Sequence, residues 1–210
     1  MKRVLPLLWI GCYAFSASAQ SGSEFSLPTI YVGVAASSGE LELSNPDFNG
    51  KRKFEGDSNI MLQLGLKQQP HFFGESAWGY HTQLIATTLK NDVSSSTGGS
   101  YSGDVKGVSV VAEPVLFYQW GSRQSCHGCK SIRAQAGIGA EYVNLHGKVA
   151  EDGDTYRFNF DGVGMAGHFA LVGSYGFWDV ALRLSSASRI RDGDTKLRLG
   201  MSHLMLGYRF

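Results

Sequence analysis

The chain has 210 residues, of which 43% are hydrophobic and 12% aromatic, and a formal net charge of +1. That length fits a single domain, and that composition is too apolar for a disordered chain. The near-neutral charge removes the electrostatic case for a nucleic-acid partner.

Lys2 and Arg3 precede an apolar run from Val4 to about Phe15, and Ala17 and Ala19 in "SASA" stand as in an A-x-A cleavage site. Residues 1–19 therefore read as a cleaved secretory signal, 20–27 as a short N-terminal segment and 28–210 as the working domain. Gly11-Cys12 opens a lipoprotein alternative, for which Trp9 and Ile10 are poor upstream matches. Without the signal, 17 Lys+Arg face 18 Asp+Glu. Beyond residue 20 no apolar run approaches the roughly 18 residues of a spanning helix. An exported chain of this kind either stays soluble or crosses lipid as a closed barrel, which also satisfies every backbone hydrogen bond.

Period-two alternation decides for the barrel, because its wall must be apolar outward and can be polar inward. Thr29–Ala36 places Ile30, Val32 and Val34 on one face, and Asn59–Lys67 sets Ile60, Leu62, Leu64 and Leu66 against Gln63, Gly65 and Lys67. Ala77–Leu89 sets Trp78, Tyr80, Leu84 and Ala86 against His81 and Gln83. Lys106–Trp120 sets Val108, Val110, Leu116, Tyr118 and Trp120 against Ser109, Glu113 and Gln119. Pro114 inside that segment lacks a ladder donor and so stands against this strand, an objection that a local bulge would absorb.

Ser131–Leu145 alternates Ile132, Ala134, Ala136, Ile138, Ala140 and Tyr142 with Arg133, Gln135, Gly137, Gly139 and Glu141. In Tyr156–Val172 the outward set is Val163, Met165, Phe169 and Leu171, while Tyr156, Phe158 and Phe160 fall on the other parity. A bulge or the lipid boundary near Asp161 is expected to reconcile them. Phe177–Ser185 sets Trp178, Val180, Leu182 and Leu184 against Asp179 and Arg183, and the last segment alternates Leu204, Leu206, Tyr208 and Phe210 with His203, Met205, Gly207 and Arg209. The expected fold is all-β: an eight-stranded antiparallel up-and-down transmembrane β-barrel.

The connections alternate in character. Gln68–Ser76, Gly121–Lys130 and Gly173–Gly176 form the shorter set, expected on the periplasmic side. Ser37–Ser58, Lys90–Val105, His146–Thr155 and Ser186–Lys196 are more polar and are expected as external loops. Trp78, Tyr118, Trp120, Trp178, Tyr208 and Phe210 all fall near the periplasmic rim, as an interfacial girdle does.

The terminal Gly207-Tyr208-Arg209-Phe210, "SRIR" at Ser188–Arg191 and "AGIGAEY" at Ala136–Tyr142 resemble the OmpX/Ail group of small outer-membrane proteins, and more loosely the OmpA transmembrane domain. The resemblance implies a location in the bacterial outer membrane. Its partners are then membrane lipid and lipopolysaccharide, with periplasmic chaperones and the barrel-assembly machinery during biogenesis. Leu204, Leu206, Tyr208 and Phe210 resemble the signal that machinery reads. The chain departs from the group in the Cys pair of one periplasmic turn and in a basic-centred first loop, "NGKRKFEG".

Inward-facing Lys67, His81, Glu113, Arg133, Glu141, His168, Asp179, Arg183, His203 and Arg209 bring both signs of charge into a narrow lumen. They read either as a gated conduit or as a paired, space-filling network, and the width of an eight-stranded barrel favours the network. Cys126-His127-Gly128-Cys129 carries C-x-x-C spacing without the βαβ setting of a redox motif, and Lys130 stands where c-type haem needs His. It offers at most three of the four ligands zinc needs, so a disulfide is expected. A lipid A deacylase or acyltransferase needs Ser beside His. Ser202 and His203 point to opposite faces, which leaves only His146 with Glu151 or Asp152 and Ser186 or Ser188 as a candidate. Glycines at Gly137, Gly139, Gly162 and Gly164 are read as room for large lumen neighbours. The expectation is a monomeric, non-enzymatic barrel without a cofactor, whose loops contact other surfaces or the envelope. A lipid A-modifying enzyme and a small-solute channel are its alternatives.

Overall fold

The structure, a computed structural model, describes residues 28–37, 41–44, 51–54, 60–94, 101–123, 126–151, 154–193 and 195–209. It has β1 (Thr29–Ser37), β2 (Leu41–Ser44), β3 (Lys51–Phe54), β4 (Ile60–Lys67), β5 (His71–Phe72), β6 (Trp78–Ser94), β7 (Tyr101–Gly121), β8 (Lys130–Glu151), β9 (Asp154–Tyr175), β10 (Trp178–Asp192) and β11 (Thr195–Tyr208). Eight of them, β1, β4 and β6 to β11, pair antiparallel with their neighbours in a ring. The seam closes where β1 meets β11, from Ile30 opposite Tyr208 to Ser37 opposite Met201. The short β2 pairs with β3 and extends the seam along β11, with Ser44 opposite Lys196.

Alternation explains the wall. Leu62, Leu64, Ile132, Ile138, Met165, Phe169, Leu182, Leu184, Leu204 and Leu206 all face outward and are at least half exposed. In water so much apolar surface would drive aggregation; in hydrocarbon it is the required outer coat. The rim that carries both ends of the ring is belted by aromatics: Trp78 meets Tyr118 at 5.2 Å, Tyr118 meets Trp120 at 4.7 Å and Trp178 meets Tyr208 at 4.9 Å between ring centroids.

Several expectations are refined or corrected. Pro114 causes no bulge: the β7–β8 register is the same at Ala112 opposite Ala140 and at Val115 opposite Gly137, and only the intervening pairs are lost. Of the two alternatives near Asp161, a bulge is not found in the β8–β9 ladder, which keeps one register from Lys130 opposite Tyr175 to Glu151 opposite Asp154. Phe160 instead points inward and is buried. The bulge lies in β10, between Ala187 and Ile190, where both ladders shift.

The expected external loops are mostly strand. β6 runs to Ser94 and β7 starts at Tyr101, β8 and β9 are separated only by residues 152–153, and β10 and β11 by 193–194. Asp-Gly at 152–153 is a two-residue hairpin signal. Gly173 also belongs to a strand, and that turn shrinks to Gly176 and Phe177, with Gly176 at φ 58°. At about 3.3 Å per residue, the 22-residue β8 is far longer than the roughly 25 Å apolar band needs. Its far half carries the sheet beyond lipid.

Candidate functional site

The described lumen is filled in storeys. Nearest the aromatic rim, Asp179 is buried and gathers groups from around the ring. Its Oδ2 accepts from Tyr31 Oη at 2.6 Å, Lys67 Nζ at 3.1 Å and Arg133 Nη2 at 3.0 Å, and Oδ1 pairs with Arg209 Nη2 at 3.0 Å. Lys67 also donates to Tyr31 and sits over its ring, 4.8 Å from the centroid. The charge-assisted bonds from Lys67 and Arg133 to Oδ2, with the Arg209 guanidinium ion-paired at Oδ1, make this buried ion tolerable.

The second storey centres on Glu113. Its Oε1 takes Arg183 Nη2 at 2.6 Å and Gln83 Nε2 at 2.9 Å, and its Oε2 takes His168 Nδ1 at 2.7 Å. A Cβ on Gly137 would stand 2.5 Å from His168 Cε1, and one on Gly139 2.4 Å from Glu113 Cβ, so these glycines are where the pair comes close to β8. Glu141 accepts from Ser109, and His81 is buried with its ring 5.6 Å from that of Phe117.

Above this the lumen turns apolar, which sequence reasoning missed. Met61, Leu89, Val105, Val111, Val143, Leu145, Phe160, Ile190, Leu197, Leu199 and Met201 form one buried cluster. Their outward neighbours there are polar, as in Lys196-Leu197-Arg198-Leu199 and Asn144-Leu145-His146, so the alternation continues with the inner face apolar instead of polar. The signal was present in Leu145 and Phe160 flanking a stretch read as loop.

One serine does meet a histidine. Ser185 Oγ lies 2.6 Å from His203 Nε2, and Gln63 donates its amide to His203 Nδ1. With Nδ1 accepting, Nε2 carries the proton and donates to Ser185, whose own hydroxyl points to the Met201 carbonyl at 3.5 Å. That tautomer cannot activate the serine as a nucleophile. The apolar cluster, which includes Met61 and Met201, also fills the lumen beyond it. The His146 constellation does not assemble. His146 is opposite Asn159, whereas Ser186 is opposite Gly167, and Gly167 opposite Ile138, eight residues back along β8. The side chains of Glu151 and Ser188, together with all of Asp152, lie outside the described residues.

At the aromatic rim Cys126 and Cys129 form a disulfide. The turns there are tied together. Arg123 donates to the Gly74 carbonyl at 3.2 Å, Gly176 N to Cys129 O at 2.9 Å, and Arg209 Nη2 to Gly176 O at 3.1 Å. Leu204, Leu206 and Tyr208 face outward on β11, and Phe210 lies outside the described residues. Among the described residues no group of three or more His, Cys, Asp or Glu is placed to hold a metal.

No family model matches the sequence, and no curated protein matches it. Solved structures do match. OprG of Pseudomonas aeruginosa is 15% identical over 88% of this chain and 97% of its own, with a TM-score of 0.51. The fold is that of the small outer-membrane β-barrels. Ail, the attachment invasion locus protein of Yersinia pestis, aligns over 88% of this chain and 99% of its own at 16% identity and a TM-score of 0.48. Neisserial surface protein A aligns over 87% and 97% at 12% identity and 0.38. This likeness is one of fold.

Proposed function

We propose that this protein is an outer-membrane barrel that neither conducts nor catalyses, and that acts through its external hairpins and their lipid-facing rim. The signal at 1–19 delivers it to the periplasm, where chaperones and the barrel-assembly machinery insert it as a monomer. The observation that supports this reading is the set of buried lumen side chains, two ionic clusters and an apolar one stacked across the barrel, which on this reading close the aqueous path. Transport is thereby disfavoured, and so is chemistry on any substrate that has to enter the barrel.

The external rim supports an envelope contact. Lys90 is opposite Lys106 and Lys106 opposite His146, on the outward face directly beyond Val108. A cleft of about 490 Å³ opens there between Leu62, Val108, Lys90, Lys106 and His146. Lys148 and Arg157 face outward one row farther on. Lys90, Lys148 and Arg157, beside the Lys106–Asp104 ion pair at 2.6 Å, put cationic side chains at the outer edge of an apolar coat, which suits the phosphates of lipopolysaccharide, whose acyl chains lie against the coat. Beyond Val163, β9 leaves the β10 ladder while it stays paired to β8, with Asp161 N still held by Asp192 at 3.0 Å, which leaves residues 154–160 for a further surface contact.

The test uses the refolded barrel in asymmetric bilayers with lipopolysaccharide in one leaflet, and mass spectrometry of lipid A from cells with and without the protein. The expected result is no steady conductance and an unchanged acyl count. A large stable conductance or an altered acyl count overturns the reading.

A further inference from the structure

On the outer wall, near the rim that carries both ends of the ring, a notch of about 630 Å³ interrupts the aromatic belt. The register centres it on Gly173. Across the ladders Gly173 is opposite Ile132 of β8 and Val180 of β10, and nearer the rim Tyr175 is opposite Trp178. Trp120, opposite Ile132, closes the far side. These five side chains all face outward and are at least half exposed.

Gly173 does not serve the protein's own packing. Its φ is not positive, and a Cβ built on it would meet nothing within 4 Å, whereas one on Gly137 or Gly139 would strike a neighbour. A glycine inside a strand weakens it through chain entropy and lost side-chain contact. Where no close approach within the chain requires it, the space over such a glycine is room for a molecule from outside.

The lining has two chemistries. Floor and walls are hydrocarbon and aromatic ring, while Lys130 stands at the rim end, opposite Tyr175. Its Nζ lies 5.6 Å from the Tyr175 ring centroid, and among the described residues no carboxylate pairs with it. Lys130 follows directly on a braced turn, because Cys129 is bridged to Cys126 and its carbonyl accepts from Gly176 N at 2.9 Å. Aromatic girdles lie at headgroup level, so the cation is at the depth of lipid phosphates. The notch also falls within the roughly 300–1,000 Å³ of sites that hold small molecules.

We propose that this notch binds one anionic phospholipid of the leaflet at the aromatic rim, with an acyl chain over Gly173 between Trp120 and Trp178 and the phosphate beside Lys130. An unpaired cation at an interface favours a lipid of net negative charge over a zwitterionic one. The site lies at the opposite end of the barrel from Lys90 and Lys106, so it goes beyond the lipopolysaccharide contact and stands or falls without it.

Beyond the signal, tryptophan occurs only at Trp78, Trp120 and Trp178, so Trp78→Phe leaves the two notch residues as the sole tryptophan emitters. This barrel is placed in phosphatidylcholine bilayers with a minor fraction of phosphatidylglycerol brominated on its acyl chains, which quenches tryptophan on contact. Brominated phosphatidylcholine at the same fraction is the control. The expected result is quenching by the anionic lipid several-fold above the control. The excess disappears in Gly173→Leu, which fills the notch with every charge in place, and in Lys130→Gln, which keeps the notch and removes the cation. Equal quenching by the two lipids means ordinary contact with bulk lipid only, and the proposal falls. It falls equally if the excess persists in either variant. Should neither variant insert, the comparison of the two lipids on Trp78→Phe decides alone.

Discussion

Lys67 and Arg133 stand on strands that share no ladder, yet both reach the same oxygen of Asp179, at 3.1 and 3.0 Å. The carboxylate thereby cross-braces β4, β8 and β10 through the middle of the barrel. Replacing Asp179 by Ala leaves these cations buried without their counter-ion, and breaking such a pair costs about 3–5 kcal/mol. The urea midpoint of the refolded barrel should fall accordingly. A loss below about 1 kcal/mol, the worth of an exposed pair, would show that water reaches the site.

Truncating the apolar storey should weaken the barrel without opening it. Phe160→Ala removes a fully buried ring, and such changes cost about 3–5 kcal/mol. Bilayer recordings of the variant should stay silent, because Glu113 with Arg183 and Asp179 with Arg133 still block the path below. Steady conductance in Phe160→Ala would make the apolar storey the sole barrier.

Gly137→Ala tests the close approach of β8 to the Glu113–His168 pair. The added methyl meets the His168 ring at 2.5 Å, so either the ring or the strand has to move. A cost of about 1–3 kcal/mol is expected, as for other overpacked interiors. Pairing the change with His168→Ala should recover part of it, measured as non-additivity of the two unfolding free energies.

The Cys126–Cys129 bridge closes a very short loop, so the chain-entropy gain falls below the roughly 3 kcal/mol of a 15-residue loop. The double Cys→Ser variant should assemble, with only a modest fall in unfolding midpoint. Thiol labelling before and after reduction checks the bridge itself: two freely reactive thiols without reductant contradict it.

Deleting Phe210 should harm assembly in cells far more than refolding in detergent. An interfacial aromatic contributes only about 1.5–3 kcal/mol by burial, too little to abolish folding. Equal behaviour of full-length and shortened chains in both settings removes the recognition role.

Alternation carried the wall. Ile60–Lys67 and Leu204–Tyr208 declare their outward faces residue by residue, because lipid on one side and charge on the other demand opposite chemistries. The lumen partners were legible only as a set. Nothing in the spacing of Asp179 and Lys67 states that they meet, since a ring brings together strands distant in sequence. The apolar storey was hidden for a different reason. Where Val143 and Leu145 face an interior without charge, the apolar residues point inward and Asn144 and His146 outward, so the lipid-facing rule names the wrong face. The polar composition of 90–105 and 146–155 disguised strand as loop, because strands beyond the lipid have water on their outer face.

The Asp179 cluster also has a consequence for the order of events in barrel formation. Its members come from β1, β4, β8, β10 and the residue after β11, so it is complete only once the first and last strands have zipped together. Arg133 and Arg209 already flank Asp179 through the continuous β8–β11 sheet, whereas Tyr31 and Lys67 reach it only across the seam, so the last two donors to this buried carboxylate arrive with closure. Sealing the seam completes the cluster and locks the ends in one step, so the molecule senses its own completion from the inside.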